Sequence, residues 1–325
     1  MSENIFVNSA VTVSYFVSRF AFGIGKDTML EMNCVSAFST LSVVISFFAW
    51  CVLFFLKKTH SPPAVAPISF RNQIVLSVVQ VLLFIIQSYS SWISQSIDQL
   101  SILFAIPCGL LFYYVYYKHF PSGALLFTVL LFTVGSVFIN IGVRIDSYKF
   151  YVFSSVVSLI KTALVYQIES TISQSGCSTI DFLFSFSAMK LIVSVFFSGM
   201  IISYHSPSTF FIRPHLFNII LISLISIADL ISNLSMVSII TKMSAISFLI
   251  TEEFCHVLLV LIGNTLNPTK YSTLKDTILS FLGFMFVIPG YIMFFSLLEC
   301  NSIKRSDTEP FRISSTEKVS SDDND

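Results

Sequence analysis

The stretch Ala228 to Gly263, ADLISNLSMVSIITKMSAISFLITEEFCHVLLVLIG, decides how this chain is read. It is the end of one apolar run, a tight Thr241-Lys242-Met243 turn, and a second apolar run of the roughly 20 residues that cross a hydrocarbon core. Yet it holds an acid (Asp229), an amide (Asn233), two adjacent glutamates (Glu252, Glu253) and a histidine (His256). A carboxylate at that depth costs roughly 2.5 kcal/mol or more on insertion scales, so such residues face a bundle interior or a water-filled path and mark function.

The composition around the stretch supports that setting. A mean hydropathy of +0.82, with 54% hydrophobic and only 11% charged residues, excludes an ordinary soluble domain, whose charged share is about 25%. The fold class expected is an all-α polytopic membrane protein. A net charge of zero gives no basic stripe for a nucleic acid, so no nucleic-acid partner is expected. Cys34, Cys51, Cys108, Cys177, Cys255 and Cys300 show neither a CxxC pair nor metal-ligand spacing, so no metal and no cofactor are expected.

Working outward, hydropathy divides residues 1–300 into ten spans in two halves, about 1–145 and 146–300. They cover about Ile5–Gly25, Asn33–Leu56, Asn72–Ile93, Ile97–Tyr117, Gly123–Val143, Phe150–Ile172, Thr179–Tyr204, His215–Ile240, Ser244–Gly263 and Ser272–Leu298. Pro107 is expected to kink the fourth span and Pro289-Gly290 to break the tenth. The polar, charged tail 301–325 is too poor in apolar surface to fold. The first span has no basic region before it and no small-residue cleavage site after it, so it is expected to stay as a helix. Ten spans put both ends on one side, and the twin Lys57-Lys58 at a helix end favours the cytosol for both termini and for the tail.

Several polar and charged residues merit weighing singly. Lys161 and Lys190, within the sixth and seventh spans, are point charges suited to an anionic ligand or to an ion pair with Glu252, Glu253 or Asp229. Arg19 lines a site or snorkels to the interface. Glu252 and His256 are four apart and share a helix face, where they carry a proton, hold a ligand, or form a core hydrogen bond. Asp229 and Asn233, also four apart, are placed to face the ninth span across the turn, with Asn233 read as an interhelical clamp or ligand contact. Trp50 and Trp92 suit the interfacial aromatic belt. No HExxH or GxSxG motif is present, and the Ser272-to-Lys275 SxxK match lies at a helix start, so no enzyme is expected.

Three pieces carry a resemblance. NLSMVSIITKMSAISFLI pairs an Asn-led helix end with a short turn and a Ser244-Ala245-Ile246-Ser247 opening, Leu100 to Tyr117 runs through Pro107 into KHFPSG, and Ser18-Arg19 lies in the first span. Together they resemble the nucleotide-sugar and triose-phosphate translocator family of the drug/metabolite transporter superfamily. The resemblance implies a 5+5 inverted-repeat bundle exchanging a nucleotide sugar or related phosphorylated organic anion across a Golgi or endoplasmic reticulum membrane. Its partners would be that small molecule and the lipid bilayer, and a homodimer is compatible with it. Where members of the family that take sugar phosphates carry a Lys-Arg pair in the ninth span, this chain has Cys255-His256, and where they have a lysine before the fourth-span proline it has Leu103. The expected binding set is therefore Lys161, Lys190, His256, Glu252, Arg19 and Asn233. Two other readings stay open: a proton-coupled carrier of a neutral or cationic metabolite, and a non-transporting membrane scaffold.

Overall fold

The computed structural model describes residues 10–22, 37–60, 68–93, 95–118, 120–141, 148–204, 216–266 and 274–299. All the regular structure among them is helical. In chain order the helices are α1 (Ala10–Phe22), α2 (Ala37–His60), α3 (Phe70–Ile93), α4 (Gln95–Tyr117), α5 (Gly123–Ile141), α6 (Tyr148–Ser175), α7 (Thr179–Tyr204), α8 (Leu216–Lys242), α9 (Ala245–Leu266) and α10 (Leu274–Glu299). The expected tail 301–325 and the start of the second span at Asn33 lie outside the described residues.

Five of these helices are long and apolar enough to cross a membrane: α2, α6, α7, α8 and α10. Large apolar side chains such as Phe55, Val17, Ile192, Phe196 and Ile292 point outward. Meanwhile serines and threonines, among them Ser77, Thr128, Ser154, Thr162 and Ser247, are buried. That inversion of the soluble pattern is what lipid as solvent selects, because small polar residues let helices approach and hydrogen-bond inside the bundle.

Local chemistry fixes the helix ends. Ser178 caps α7 by accepting from the Asp181 amide at 3.1 Å while its own hydroxyl donates to the Asp181 carboxylate at 2.7 Å. Lys118 closes α4 in the left-handed region with φ 59°, its amide donating to the Tyr114 carbonyl at 2.9 Å. In the Thr241-Lys242-Met243 turn, the Met243 amide donates to Ile239 at 2.8 Å, and Ser244 then accepts from the Ser247 amide at 3.2 Å to start α9. The expected turn is thus where the two helices meet.

Helices pack most extensively as α5 on α10, α2 on α7 and α4 on α6. The α5–α10 seam depends on glycine: a Cβ on Gly135 would lie 2.7 Å from the Gly283 carbonyl oxygen, and one on Gly283 would lie 2.5 Å from that of Gly135. Backbones at that separation admit no side chain.

Two expectations are corrected. α10 runs unbroken from Leu274 to Glu299 through Pro289, since the lost amide is tolerated where neighbouring helices hold the backbone; Gly290 sits against Phe132 of α5. Trp50 lies midway along the apolar window Leu41–Thr59 of α2 and not near its end, among the rings of Phe47, Phe54 and Phe184. The side chain of Trp92 lies outside the described residues.

Candidate functional site

α9 carries its Thr251-Glu252-Glu253 segment into the bundle interior, all three residues buried. Two cations reach Glu252 from separate helices. Lys161 Nζ of α6 lies 2.7 Å from Glu252 Oε1, and Arg19 Nη2 of α1 donates to the same oxygen at 3.5 Å. The side chains of Arg19 and Lys161 keep 25% and 20% of their surface exposed, against 7% for Glu252. The carboxylate is thus the more deeply buried partner, while each of its cations keeps part of its side chain exposed. Tyr15, one turn before Arg19 on α1, turns its hydroxyl toward Glu252, and its ring meets Phe248 edge-on at 5.4 Å. Phe16 meets Phe254 in the same way at 5.7 Å, so the aromatic contacts lock α1 against α9 and set the height of Arg19.

Glu253 points elsewhere, as its place a quarter-turn on requires. Its Oε1 accepts from the Ser136 hydroxyl of α5 at 2.8 Å, and among the described residues no cation lies within ion-pair distance. His256, one turn beyond Glu252 on α9, is half-buried and acts on that carboxylate electrostatically.

The remaining predicted site residues form a second group. Lys190 Nζ of α7 lies 3.8 Å from Asp229 Oδ2 of α8, beyond hydrogen-bond range. Asn233 donates to that same oxygen at 2.8 Å and to the Asp229 carbonyl at 2.9 Å. Ser46 of α2 and Ser187 of α7 join these three around a cavity of about 10 Å³, room for one water. So the structure brings Arg19, Lys161, Glu252 and His256 together and sets Lys190 with Asn233. Asp229 and Asn233 face α7 and α2 across this cavity, although Asp229 still acts on Arg19 through space.

Sequence reasoning missed Ser136 and Tyr15. The first follows Gly135, and a Gly-Ser pair in an apolar helix signals close helix approach. The second stands four before Arg19 and hence on its face. Among the described residues, no group of three or more His, Cys, Asp or Glu side chains is arranged to hold a metal ion.

No protein-family model and no curated protein matches this chain. Solved structures do. One, described only as "Crystal structure of protein", is 10% identical and superposes with a TM-score of 0.64 over 90% of this chain and 99% of its own length. At that identity the likeness is one of fold alone, and it extends over nearly the whole of both chains. Fold and composition together define a multi-pass helical membrane bundle with a charged cluster at its centre.

Proposed function

We propose that the chain is a secondary-active carrier of a small organic anion, a nucleotide sugar or a related phosphorylated metabolite, built as two halves of five spans. One observation carries the reading: Arg19 on α1 and Lys161 on α6, the opening helices of the two halves, converge on Glu252 while each keeps part of its side chain exposed. A phosphate entering there would take charge-assisted hydrogen bonds from a guanidinium and an ammonium together. His256 adds a hydrogen bond at the rim.

The packing scheme supports the 5+5 reading, because it nearly maps onto itself when every helix is advanced by five. α2 packs on α7, α4 on α9 and α5 on α10. The α2–α8 contact answers α7–α3, α3–α4 answers α8–α9, and α4–α5 answers α9–α10. α4 leaning on α6 is answered by α9 holding α1 through Phe248, Phe254 and Glu252. Carriers with such repeats keep their substrate site at the interface of the halves, where this cluster lies. By the resemblance in sequence, the membrane would be that of the Golgi or endoplasmic reticulum, with both termini cytosolic.

The test is uptake into proteoliposomes of the purified full-length chain, using labelled uridine monophosphate, a uridine diphosphate sugar and inorganic phosphate. Saturable counterflow of at least one, lost in Lys161→Met, is the expected result. Uptake of neutral or cationic metabolites alone would favour the other carrier reading, to which the adjacent Glu252 and Glu253 lend support, and no uptake at all would favour the scaffold.

A further inference from the structure

Resting on the anion reading, the charge count of the cluster raises a question about its second carboxylate. Arg19 and Lys161 supply two positive charges, while Glu252 and Glu253 supply two negative charges if both are ionised. An entering anion would then be the third negative group against two cations. Inside a bundle of low polarisability that excess is costly. One proton removes the excess.

Geometry says which carboxylate takes it. Glu252 is held by two cations at 2.7 and 3.5 Å, so protonating it would forfeit both ion pairs. Glu253 is 2% exposed and its partner is the neutral hydroxyl of Ser136. A hydroxyl both donates and accepts, so the Ser136–Glu253 contact survives whether the carboxyl is charged or neutral. Glu253 can therefore gain or lose a proton without losing its place.

The surroundings of Glu253 leave it to that role. From α6, Lys161 acts on it through space, and Glu252 does so from its own helix; from α1, Arg19 and Tyr15 are turned to Glu252. From α8, Asp229 acts on Arg19; from α10, Tyr291 stacks on Phe254 at 4.0 Å; further along α9 stand Cys255 and His256. Among the described residues, α4, which meets α9 where Gly109 faces Leu249 and Ile246, and α5, apart from Ser136, bring no charged group to it. We propose that Glu253 is the coupling-proton site of this carrier: it takes up one proton as the anion binds to Arg19 and Lys161, so that anion and proton cross together.

The experiment compares wild type with Glu253→Gln, whose amide keeps a hydrogen bond to Ser136 but cannot titrate. Proteoliposomes carrying an entrapped pH dye receive labelled uridine monophosphate or inorganic phosphate with the outside made acid. Wild type should accumulate the anion, by up to about tenfold per pH unit, and acidify the lumen; Glu253→Gln should keep counterflow within about threefold but lose both gradient-driven accumulation and acidification. Accumulation by Glu253→Gln equal to wild type would overturn the proposal while leaving the anion reading intact. If wild type moves neither of these anions nor the uridine diphosphate sugar, the anion reading fails and the coupling role falls with it, and infrared spectroscopy then reads whether the proton site itself exists. A protonated-carboxyl band that titrates in wild type and vanishes in Glu253→Gln places the proton on Glu253; a band unchanged by the substitution removes it. Ser136→Ala, which takes away the neutral partner but not the carboxyl, should shift the titration of that band, and an unmoved titration counts against the hydroxyl's role.

Discussion

Among the described residues the bundle holds two buried groups of paired charges, and they differ in what surrounds them. At the Lys190–Asp229 pair one cation faces one carboxylate at 3.8 Å, an amide fills the carboxylate's remaining contact, and the adjacent cavity admits a single water. At the α1–α6–α9 cluster two cations share one carboxylate oxygen and keep more of their own surface open than the carboxylate does. The first is nearly covered, with 10% and 15% of the two side chains exposed and room beside them for one water. The second has cation faces to offer, and a neighbouring carboxyl whose charge is adjustable. Buried charge is common to both; the exposure left to the cations is what makes the second the candidate site.

The comparison breaks most sharply by unbalancing the closed pair. Asp229→Ala leaves Lys190 buried without its counter-charge, and removing one partner of a buried pair costs about 3–5 kcal/mol. Folded yield and thermal stability in detergent should fall accordingly. The double change Lys190→Met with Asp229→Leu should restore most of the loss and, on the proposal that the anion binds at Arg19 and Lys161, keep uptake per folded molecule within a few-fold. A double variant that folds but does not transport would move the site from α9 to this cavity.

Next in size is the open cluster. Lys161→Met should lower uptake per folded molecule by roughly 10- to 100-fold, the worth of a charged hydrogen bond of 1.5–3 kcal/mol. Stability should change less than in Asp229→Ala, since Arg19 still neutralises Glu252. Equal uptake by Lys161→Met and wild type would show that the convergence on Glu252 is structural.

How far this contrast could be read from the letters follows from its physics. The helices were legible because the length and composition of a spanning segment are local properties; Thr179–Tyr204 is bounded identically in the sequence and in α7. That Glu252 and His256 share a face was legible from their spacing. The convergence of Arg19 on Glu252 was not, for these residues lie 233 positions apart and meet only because the aromatic contacts of Tyr15 and Phe16 seat α1 on α9. Lys190 had three acidic candidates as partner, and only packing of α7 on α8 selects Asp229. Ser136 was hidden among many buried serines of apolar helices, each equally suited to bond its own backbone, as Ser46 does. The Pro289 break failed because the neighbours of a helix, invisible in sequence, decide whether a proline interrupts it.

A smaller effect separates packing from charge. Gly135→Ala puts a methyl 2.6 Å from Val287 Cγ2 and 2.7 Å from the Gly283 carbonyl, so α5 and α10 must part. Overpacking of this kind costs about 1–3 kcal/mol. Ser136 is the next residue on α5, so the shift also loosens its bond to Glu253 while leaving Arg19 and Lys161 in place. We expect lower thermal stability with anion counterflow retained and gradient-driven accumulation reduced. Loss of counterflow in step with accumulation would tie the seam to binding itself.

The smallest expected effect lies at the rim. His256 stands where the resembled family keeps an arginine, one turn from Glu252 and half-buried. An imidazole offers an anion one hydrogen bond, and a positive charge only while protonated, whereas a guanidinium offers a fork and a permanent charge. With equal pH on both sides, KM for uridine monophosphate followed against pH should be about two- to fivefold lower in His256→Arg and vary less than in wild type, a fraction of the 1.5–3 kcal/mol of a fully buried charged bond. The proton gradient provides the control: because the coupling proton is assigned to Glu253, His256→Arg should still accumulate anion when the outside is made acid. KM profiles that coincide for the two proteins, at equal folded amounts, would remove His256 from the binding set and leave Arg19 and Lys161 as its cations. A variant with flattened KM but no gradient-driven accumulation would transfer the proton from Glu253 to His256.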